Sequence, residues 1–146
     1  MLRDINGEDG ALIDRRYGQK GAAAAVSPPL AERLAAAFVD SLIGQQDRHT
    51  GNLRWDASAG RLGLIDHGYA FAVPGDPCNA SVFVGDRHGI GHAGLVATEA
   101  AALQQLVGSP ELLGLGDVLE PERGRALVER ANRMLATGRI LHVGDF

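Results

Sequence analysis

Small and apolar residues recur at spacings of three and four between residues 30 and 43, which places their side chains on one face of a helix. The members of this face are Leu30, Leu34, Ala37, Phe38, Ser41 and Leu42. Ser27 precedes the run as an N-cap, and Pro28 and Pro29 occupy the first turn, where a missing N–H costs nothing. Gly44 follows the last member. The pattern predicts a helix over residues 28 to 43.

Alternating apolar positions then replace the helical spacing. Residues 52 to 55 and 61 to 66 flank the sequence DASAG, in which Asp56 and Gly60 are typical turn residues. The alternation predicts a two-stranded antiparallel hairpin. Because the first strand begins at Asn52 and the second ends at Asp66, these two residues are expected at the same end of the hairpin.

The remaining sequence predicts more helix. Apolar spacing indicates helices over residues 98 to 107 and 120 to 141, with a short one beginning at Ser109. Residues 72 to 94 are rich in proline and glycine and predict a long loop with one short strand over residues 81 to 84. Residues 1 to 27 carry weak apolar signal and predict an irregular lead-in or a strand pair. We therefore expect an α+β fold, mainly helical, with one domain over residues 28 to 146.

Composition narrows the class of protein. The chain has 146 residues, 45% of them apolar and 22% charged, which is typical of one globular domain. Its net charge of -4 leaves no basic stripe for a row of phosphates, so nucleic acid is not an expected partner. No stretch reaches the ~18 apolar residues of a membrane span. One cysteine, Cys78, fits a reducing compartment. These features together predict a cytoplasmic protein.

The hairpin collects the polar residues with the clearest chemistry. Asp47 lies in the loop after the first helix, and Asn52 and Asp66 lie at the adjoining hairpin end. Asp and Asn oxygens are ligands that Mg²⁺ accepts while it keeps waters and binds substrate phosphates. A further carboxylate beside them can accept the proton of a hydroxyl. Protein kinases separate their catalytic Asp from a metal-binding Asn by five residues and follow them with D-F-G, here Asp66-His67-Gly68.

These motifs resemble a known family. DSLIGQQDRHTGN followed by LGLIDHGYAF is similar to the catalytic and metal-binding loops of the phosphatidylinositol 3-/4-kinase-like superfamily, including its bacterial members and HipA-like kinase relatives. The resemblance covers residues 38 to 71. It implies a kinase-like C-lobe whose hairpin carries the catalytic and metal-binding loops. It also implies ATP and Mg²⁺ as cofactors, and phosphoryl transfer to a hydroxyl of a protein or small molecule.

The resemblance assigns roles to five residues of the site. Asp47 corresponds to the catalytic aspartate, and Asn52 and Asp66 correspond to the Mg²⁺ ligands that also hold the nucleotide phosphates. His49 is implied to brace the loop or contact the phosphates as a second catalytic residue. Arg48 is implied to assist cofactor binding or to pair with a carboxylate.

Four more residues receive supporting roles from the same resemblance. Asp40 is implied to be a structural partner in the preceding helix. Gly68 is implied to turn the chain with a positive φ after the metal ligand. Tyr69 and Phe71 are implied to pack under the site.

A kinase of this type also needs a lobe that covers the nucleotide, with a lysine on a strand. The one lysine, Lys20, lies in a GQKGAAAA sequence with no such strand around it. The resemblance therefore implies that the covering lobe is a separate chain or has been lost. The alternative is a non-catalytic, kinase-derived binding module or truncated pseudokinase.

Two other features of the loop after the hairpin are open to interpretation. His88 and His92 have the spacing of zinc ligands on a helix, but Gly89, Gly91 and Gly94 argue against a helix there. In a kinase-like fold the same loop occupies the place of an activation segment. Arg87 and its neighbours would then shape the substrate surface.

Overall fold

The computed structural model describes residues 8–9, 28–76, 81–109, 119–142 and 145. Within them, four α-helices accompany one three-stranded antiparallel sheet of order β1-β2-β3, so the fold is α+β as predicted. None of the helices in these ranges is long and apolar enough to cross a membrane. The elements are β1 Glu8–Asp9, α1 Leu30–Ile43, a 3₁₀ turn Thr50–Asn52, β2 Leu53–Asp56, β3 Arg61–Leu64, α2 Val82–Gly89, α3 Ala97–Gly108 and α4 Pro121–Thr137.

Helix α1 confirms the first prediction, and its end directs the chain into the candidate site. Gly44 closes the helix in the left-handed conformation, with φ of 60°. The backbone N–H of Gln45 returns to the carbonyl of Asp40 at 2.9 Å, which satisfies a terminal carbonyl of the helix. Ser27, the predicted N-cap, lies outside the described residues, and Pro29 occupies the cap position.

The hairpin is also as predicted. β2 and β3 pair antiparallel with Leu53 opposite Leu64. In the turn, the Asp56 carboxylate accepts a hydrogen bond from the Ser58 hydroxyl at 2.6 Å and from the Ala59 N–H at 3.0 Å. The bond from the Ser58 side chain is the main reason that the pKa of Asp56 is lowered. These local bonds fix the hairpin register.

The first 27 residues contribute one described element. Glu8–Asp9 form a two-residue strand that pairs with β2, placing Glu8 opposite Trp55. This strand falls in the segment that the sequence predicts as an irregular lead-in or strand pair. The other residues before Pro28 lie outside the described part of the chain, so their predicted character stays a prediction.

Helix α2 contradicts the prediction of a loop and strand over the same residues. Ser81 caps it by accepting a hydrogen bond from the Val84 N–H at 3.3 Å. Phe83 and Val84 are buried and join the core cluster that α1 also lines. The glycines in this segment suggested a loop, but burial of these apolar side chains outweighs the weak helix propensity of glycine.

Arg87 of α2 lies inside the protein, so the prediction that it shapes a substrate surface is wrong. Its exposed fraction is 2%. Its guanidinium donates to Glu99 at 2.6 and 2.8 Å and to the carbonyls of Leu34, His92 and Gly94 at 2.7 to 2.9 Å. One side chain therefore joins α1, the loop after α2 and the start of α3.

Helices α3 and α4 confirm two further predictions, although α4 ends at Thr137 rather than near residue 141. After Gly138 the chain crosses back over the fold, and the Ile140 N–H donates to Ala93 at 2.9 Å. The Leu141 N–H then donates to the Ser41 hydroxyl at 2.9 Å, next to Asp40 of α1. The short helix predicted from Ser109 falls on residues 110 to 118, outside the described ranges. The most buried apolar residues of the core are Ala37, Val84, Leu103, Ala131, Met134 and Ile140.

The two glycines that end α1 and α4 give a matched test of the packing beneath the site. Gly44 and Gly138 have φ of 60° and 65°, so alanine at either is expected to cost about 1 kcal/mol of unfolding free energy. At Gly44 a Cβ would also lie 2.8 Å from Cζ of Arg130, whereas at Gly138 it would meet nothing within 4 Å. Arg130 is held by the carbonyls of Leu42 and Ala72 at 2.9 and 2.6 Å.

Gly44→Ala should therefore lose at least about 1 kcal/mol more than Gly138→Ala, the scale of overpacking at a buried position. Urea unfolding of both variants measures the difference. Equal losses would show that Arg130 moves aside freely and does not pack the end of α1.

His88 gives the fold a pH dependence. Burial is the main reason that its pKa is lowered, and the nearby charges of His142 and Arg139 add to this, while Asp145 opposes it. The folded protein therefore disfavours protonated His88, and stability should fall as the pH drops below the ordinary value of about 6.5. Thermal unfolding between pH 7.5 and 5.5 should show a smaller loss in His88→Gln than in the wild type. An unchanged pH slope would contradict this assignment.

Candidate functional site

A buried ion pair between Asp40 and Arg48 lies at the centre of the candidate site. Both side chains are fully buried. Arg48 Nε lies 3.3 and 3.2 Å from the two carboxylate oxygens, and Nη2 donates to Oδ1 at 3.2 Å. The Ser81 hydroxyl donates to Asp40 Oδ2 at 2.8 Å. The pair thus joins α1, the loop after it and the start of α2, the structural partnership that the resemblance implies for Asp40.

The other N–H groups of Arg48 reach the hairpin. Nη1 donates to the carbonyl of Asn52 at 2.9 Å and to that of Ile65, and Nη2 lies 3.2 Å from Nδ1 of His67. All five guanidinium N–H groups are therefore used inside the protein. Of the two roles that the sequence offers for Arg48, the structure shows the pairing with a carboxylate; the side chain faces inward, and no N–H group is left for a cofactor.

Asn52 is held in one orientation by its neighbours. Its Nδ2 donates to the carbonyl of Asp47 at 2.8 Å, and its backbone carbonyl accepts from the Ile65 N–H at 3.1 Å. This second bond confirms that the start of the first strand and the end of the second lie together. Within the described residues, Oδ1 has no hydrogen-bond partner. The amide oxygen is consequently the group that Asn52 has available for a cation.

Asp66 carries the unusual backbone conformation of the second loop. Its φ is 55°, a left-handed value that Asp tolerates better than most residues. Gln45 Nε2 holds its carbonyl at 2.9 Å, and its exposed carboxylate accepts from the Gly68 N–H at 3.3 Å.

The prediction that Gly68 supplies the positive φ is wrong, because Asp66 supplies it. A Cβ at Gly68 would lie 3.3 Å from Asp66 Oδ1, a tight contact. Glycine at this position therefore leaves room for the carboxylate.

Asp47 and His49 lie on the loop before the 3₁₀ turn. His49 Nδ1 accepts a hydrogen bond from the Gly51 N–H at 3.0 Å, so the neutral ring carries its hydrogen on Nε2. That Nε2 lies 4.0 Å from Asp47 Oδ2. The Asp47 side chain is 35% exposed, and its carboxylate accepts no hydrogen bond from the residues that the structure describes. It can therefore accept one from a ligand.

The two aromatic residues after Gly68 do not both pack under the site. Tyr69 is 59% exposed, which contradicts its predicted position. Phe71 is half-buried and has a φ of 60°, and its carbonyl accepts from Arg123 Nη1 at 2.9 Å. The loop that contains them is anchored by the Gln46 N–H, which donates to the Tyr69 carbonyl at 3.1 Å.

The donor set suits a hard cation that keeps some of its own ligands. Among the described residues, no group of three or more His, Cys, Asp or Glu side chains could hold a metal ion. Asn52 and Asp66 instead offer an amide oxygen and a carboxylate, which fits Mg²⁺ in sites where waters and substrate phosphates complete the coordination.

Three contributors to the site were missed from the sequence. Ser81 could have been found, because a Ser before an apolar run is a typical N-cap. Gln45 and His67 carry no such signal, since their roles depend on contacts between separate loops.

Replacing two aspartates of this site should change the free energy of unfolding by very different amounts. Asp40→Ala removes one partner of a buried ion pair and should cost about 3–5 kcal/mol of unfolding free energy. Asp47→Ala removes a half-exposed carboxylate and should change the same quantity by no more than about 0.5 kcal/mol. Denaturant titration of both variants provides the comparison. A large loss in Asp47→Ala would mean that this carboxylate maintains the fold.

Searches of protein-family models, curated proteins and solved structures found no match to this chain.

Proposed function

We propose that the chain is an ATP- and Mg²⁺-dependent phosphotransferase of the phosphatidylinositol-kinase-like type, or the C-lobe of one. It would transfer a phosphoryl group to a hydroxyl of a protein or small molecule. The observation that supports this most is the clamp by Arg48, which holds the backbone of Asn52 and Ile65, next to Asp66, while the side-chain oxygens of Asn52 and Asp66 remain available.

Asn52 and Asp66 would hold the metal in this reaction, through the amide oxygen and the carboxylate. When bound, Mg²⁺ supplies positive charge against the phosphates of ATP. The protein's part is to keep the two oxygens in place. The Nδ2 bond to the Asp47 carbonyl fixes the orientation of the Asn52 amide, and the Gln45 bond fixes the Asp66 backbone.

Asp47 would accept the proton of the acceptor hydroxyl as the hydroxyl oxygen forms its bond to the γ-phosphorus. The bond from that phosphorus to the bridging oxygen breaks, and ADP leaves with the electron pair. The free carboxylate of Asp47 suits this role, since no described residue donates to it. His49 Nε2 lies 4.0 Å from the carboxylate, beyond hydrogen-bond distance, so His49 would contribute as a neighbouring polar group.

His67 adds a hydrogen-bond donor at the same place. Because Arg48 can only donate, His67 Nδ1 must accept, and the ring hydrogen lies on Nε2. That nitrogen points away from Arg48 on an exposed residue next to Asp66. Its N–H would donate a hydrogen bond to a phosphate oxygen of the nucleotide.

The alternative is a non-catalytic module derived from a kinase. The same clamp favours it in one respect, because Arg48 is satisfied entirely by protein groups, so bonds within the protein hold the loop. The lysine and glycine-rich loop that cover the nucleotide in kinases have no counterpart before Asp40 in this sequence. In the enzyme proposal a lobe outside this sequence would supply them.

Binding of nucleotide separates the two functions. Mg²⁺-ATP at 100 times its Kd should stabilise the folded chain by about 2.7 kcal/mol and raise the Tm. Asp66→Ala should remove the rise because it removes a metal ligand. Asp56→Ala, which removes a carboxylate from the turn at the other end of the hairpin, should keep it. Absence of a shift in the wild type would favour the binding module.

The role of Asp47 in phosphoryl transfer can be tested separately from the binding of Mg²⁺-ATP. Asp47→Asn keeps the shape of the side chain but removes the proton acceptor, so ADP release in the presence of acceptor should fall about 10²–10⁴-fold. The Tm rise with Mg²⁺-ATP should be unchanged. Wild-type ADP release in Asp47→Asn would rule out Asp47 as the base.

A further inference from the structure

A cleft opens beside the loop that follows Asp66. Its volume is about 400 Å³, within the range of small-molecule sites. Its lining includes Gln46, Gly68, Tyr69, Phe71, Asp76 and Arg123. Gln46 directly precedes Asp47, and Gly68 follows Asp66 by two residues. The cleft is therefore lined by chain neighbours of Asp47 and Asp66, although neither carboxylate is itself part of the lining.

Gln46 is the most unusual residue of the cleft. It is only 4% exposed, yet its side-chain amide makes no hydrogen bond to any residue that the structure describes. The buried Oε1 is among the few unpartnered polar atoms of these ranges. A buried acceptor without a donor is unfavourable, so a ligand that brings a donor gains a hydrogen bond that the free protein lacks.

Asp76 and Arg123 form the opposite wall and neutralise each other. Arg123 Nη1 lies 2.9 Å from Asp76 Oδ2 and also donates to the Phe71 carbonyl at 2.9 Å. The Val73 N–H donates to the same Oδ2 at 3.1 Å. This bond, followed by the one from Arg123, lowers the pKa of Asp76, so the carboxylate is ionised at neutral pH. Its Oδ1 has no described partner and faces no competition for a ligand donor.

The hydrogen-bonding groups and charges that line the cleft determine which class of ligand it can bind. The free groups on Gln46 and Asp76 include acceptors, which require hydroxyl or amino donors from the ligand. Arg123 is already paired, while the carboxylates of Asp47 and Asp66 lie close by in the chain. Because the two charged residues of the lining, Asp76 and Arg123, pair with each other, the cleft offers an anionic ligand no excess positive charge, and an anion should be disfavoured relative to an uncharged ligand. The left-handed φ of Phe71 is the kind of backbone strain that clusters at ligand sites.

We propose that this cleft binds the phosphate acceptor and that the acceptor is a small polyhydroxylated molecule without negative charge. Gln46 is the specificity-determining residue, since its amide has no other partner. The inference rests on the proposed phosphotransferase function, because it places the acceptor hydroxyl beside Asp47. It selects a sugar-like molecule over both a protein side chain and a phosphorylated headgroup.

Three sugars that share one ring but differ in charge test whether the cleft disfavours an anionic ligand. Glucose, glucosamine and glucose 6-phosphate, titrated into the full chain without nucleotide and followed by NMR chemical shifts, differ mainly in charge. Glucose and glucosamine should bind and shift the Gln46 side-chain amide signals, and glucose 6-phosphate should bind at least 10-fold more weakly. Equal or tighter binding of glucose 6-phosphate, or no binding of either sugar, would overturn the proposal.

Substitutions in the cleft test whether glucose binds at Gln46 and Asp76. Gln46→Met keeps a similar side-chain volume but removes the amide, and should weaken glucose binding at least 10-fold. Gln105→Leu, at an exposed position on α3, should leave it unchanged. Asp76→Asn, at a half-exposed position, removes the negative charge of the cleft and should reduce the discrimination against glucose 6-phosphate. Unchanged affinity in Gln46→Met together with unchanged discrimination in Asp76→Asn would place the sugar elsewhere.

The experiments distinguish failure of the proposed phosphotransferase function from failure of the proposed acceptor class. Sugar binding without a Tm rise from Mg²⁺-ATP would contradict the phosphotransferase and keep the cleft as a binding site. A Tm rise from Mg²⁺-ATP without sugar binding would contradict only the acceptor class. Asp66→Ala should lose the nucleotide response and retain the sugar response.

Discussion

The buried pair of Asp40 and Arg48 is the interaction on which the candidate site depends. Asp40 comes from α1, and Arg48 comes from the loop that follows it. The same guanidinium binds backbone carbonyls of Asn52 and Ile65, one from each side of the hairpin end. A displacement of this one side chain would therefore move Asn52 and Ile65, and with them the adjoining Asp66, together.

Burying such a pair has a large desolvation penalty, so stability alone does not readily explain its presence. Two charges taken out of water lose solvation that their attraction does not always return, and apolar replacements are often as stable. In this protein, however, Arg48 also satisfies two carbonyls and one imidazole nitrogen. An apolar side chain could not orient those groups. The pair is thus better explained by the positions it gives to Asn52 and Asp66 than by stability alone.

Local patterns predicted the elements that carry the site. The spacing of α1, Gly44 at its end and the alternation of the hairpin all depend on near neighbours, and together they placed Asn52 beside Asp66. The burial of Arg48 and Arg87 was not predictable in the same way, because a charged residue in a polar stretch usually faces water. Their partners come from segments far apart in sequence, as with Arg87 and Leu34. The helix over residues 82 to 89 was missed because its stability comes from packing against α1. The local sequence is rich in glycine and gives no sign of that packing.

Mn²⁺ provides the most direct test of whether Asn52 and Asp66 bind a metal ion, as proposed. Mn²⁺ replaces Mg²⁺ at oxygen sites and broadens the NMR signals of nearby amides. In the presence of ATP, substoichiometric Mn²⁺ should first broaden the amide signals of Asn52, Asp66 and Gly68, and should leave those of Ser58 and Arg139 sharp. Broadening that is uniform, or that centres on His88 and His142 instead, would contradict a metal site at the hairpin end that holds Asn52 and Asp66.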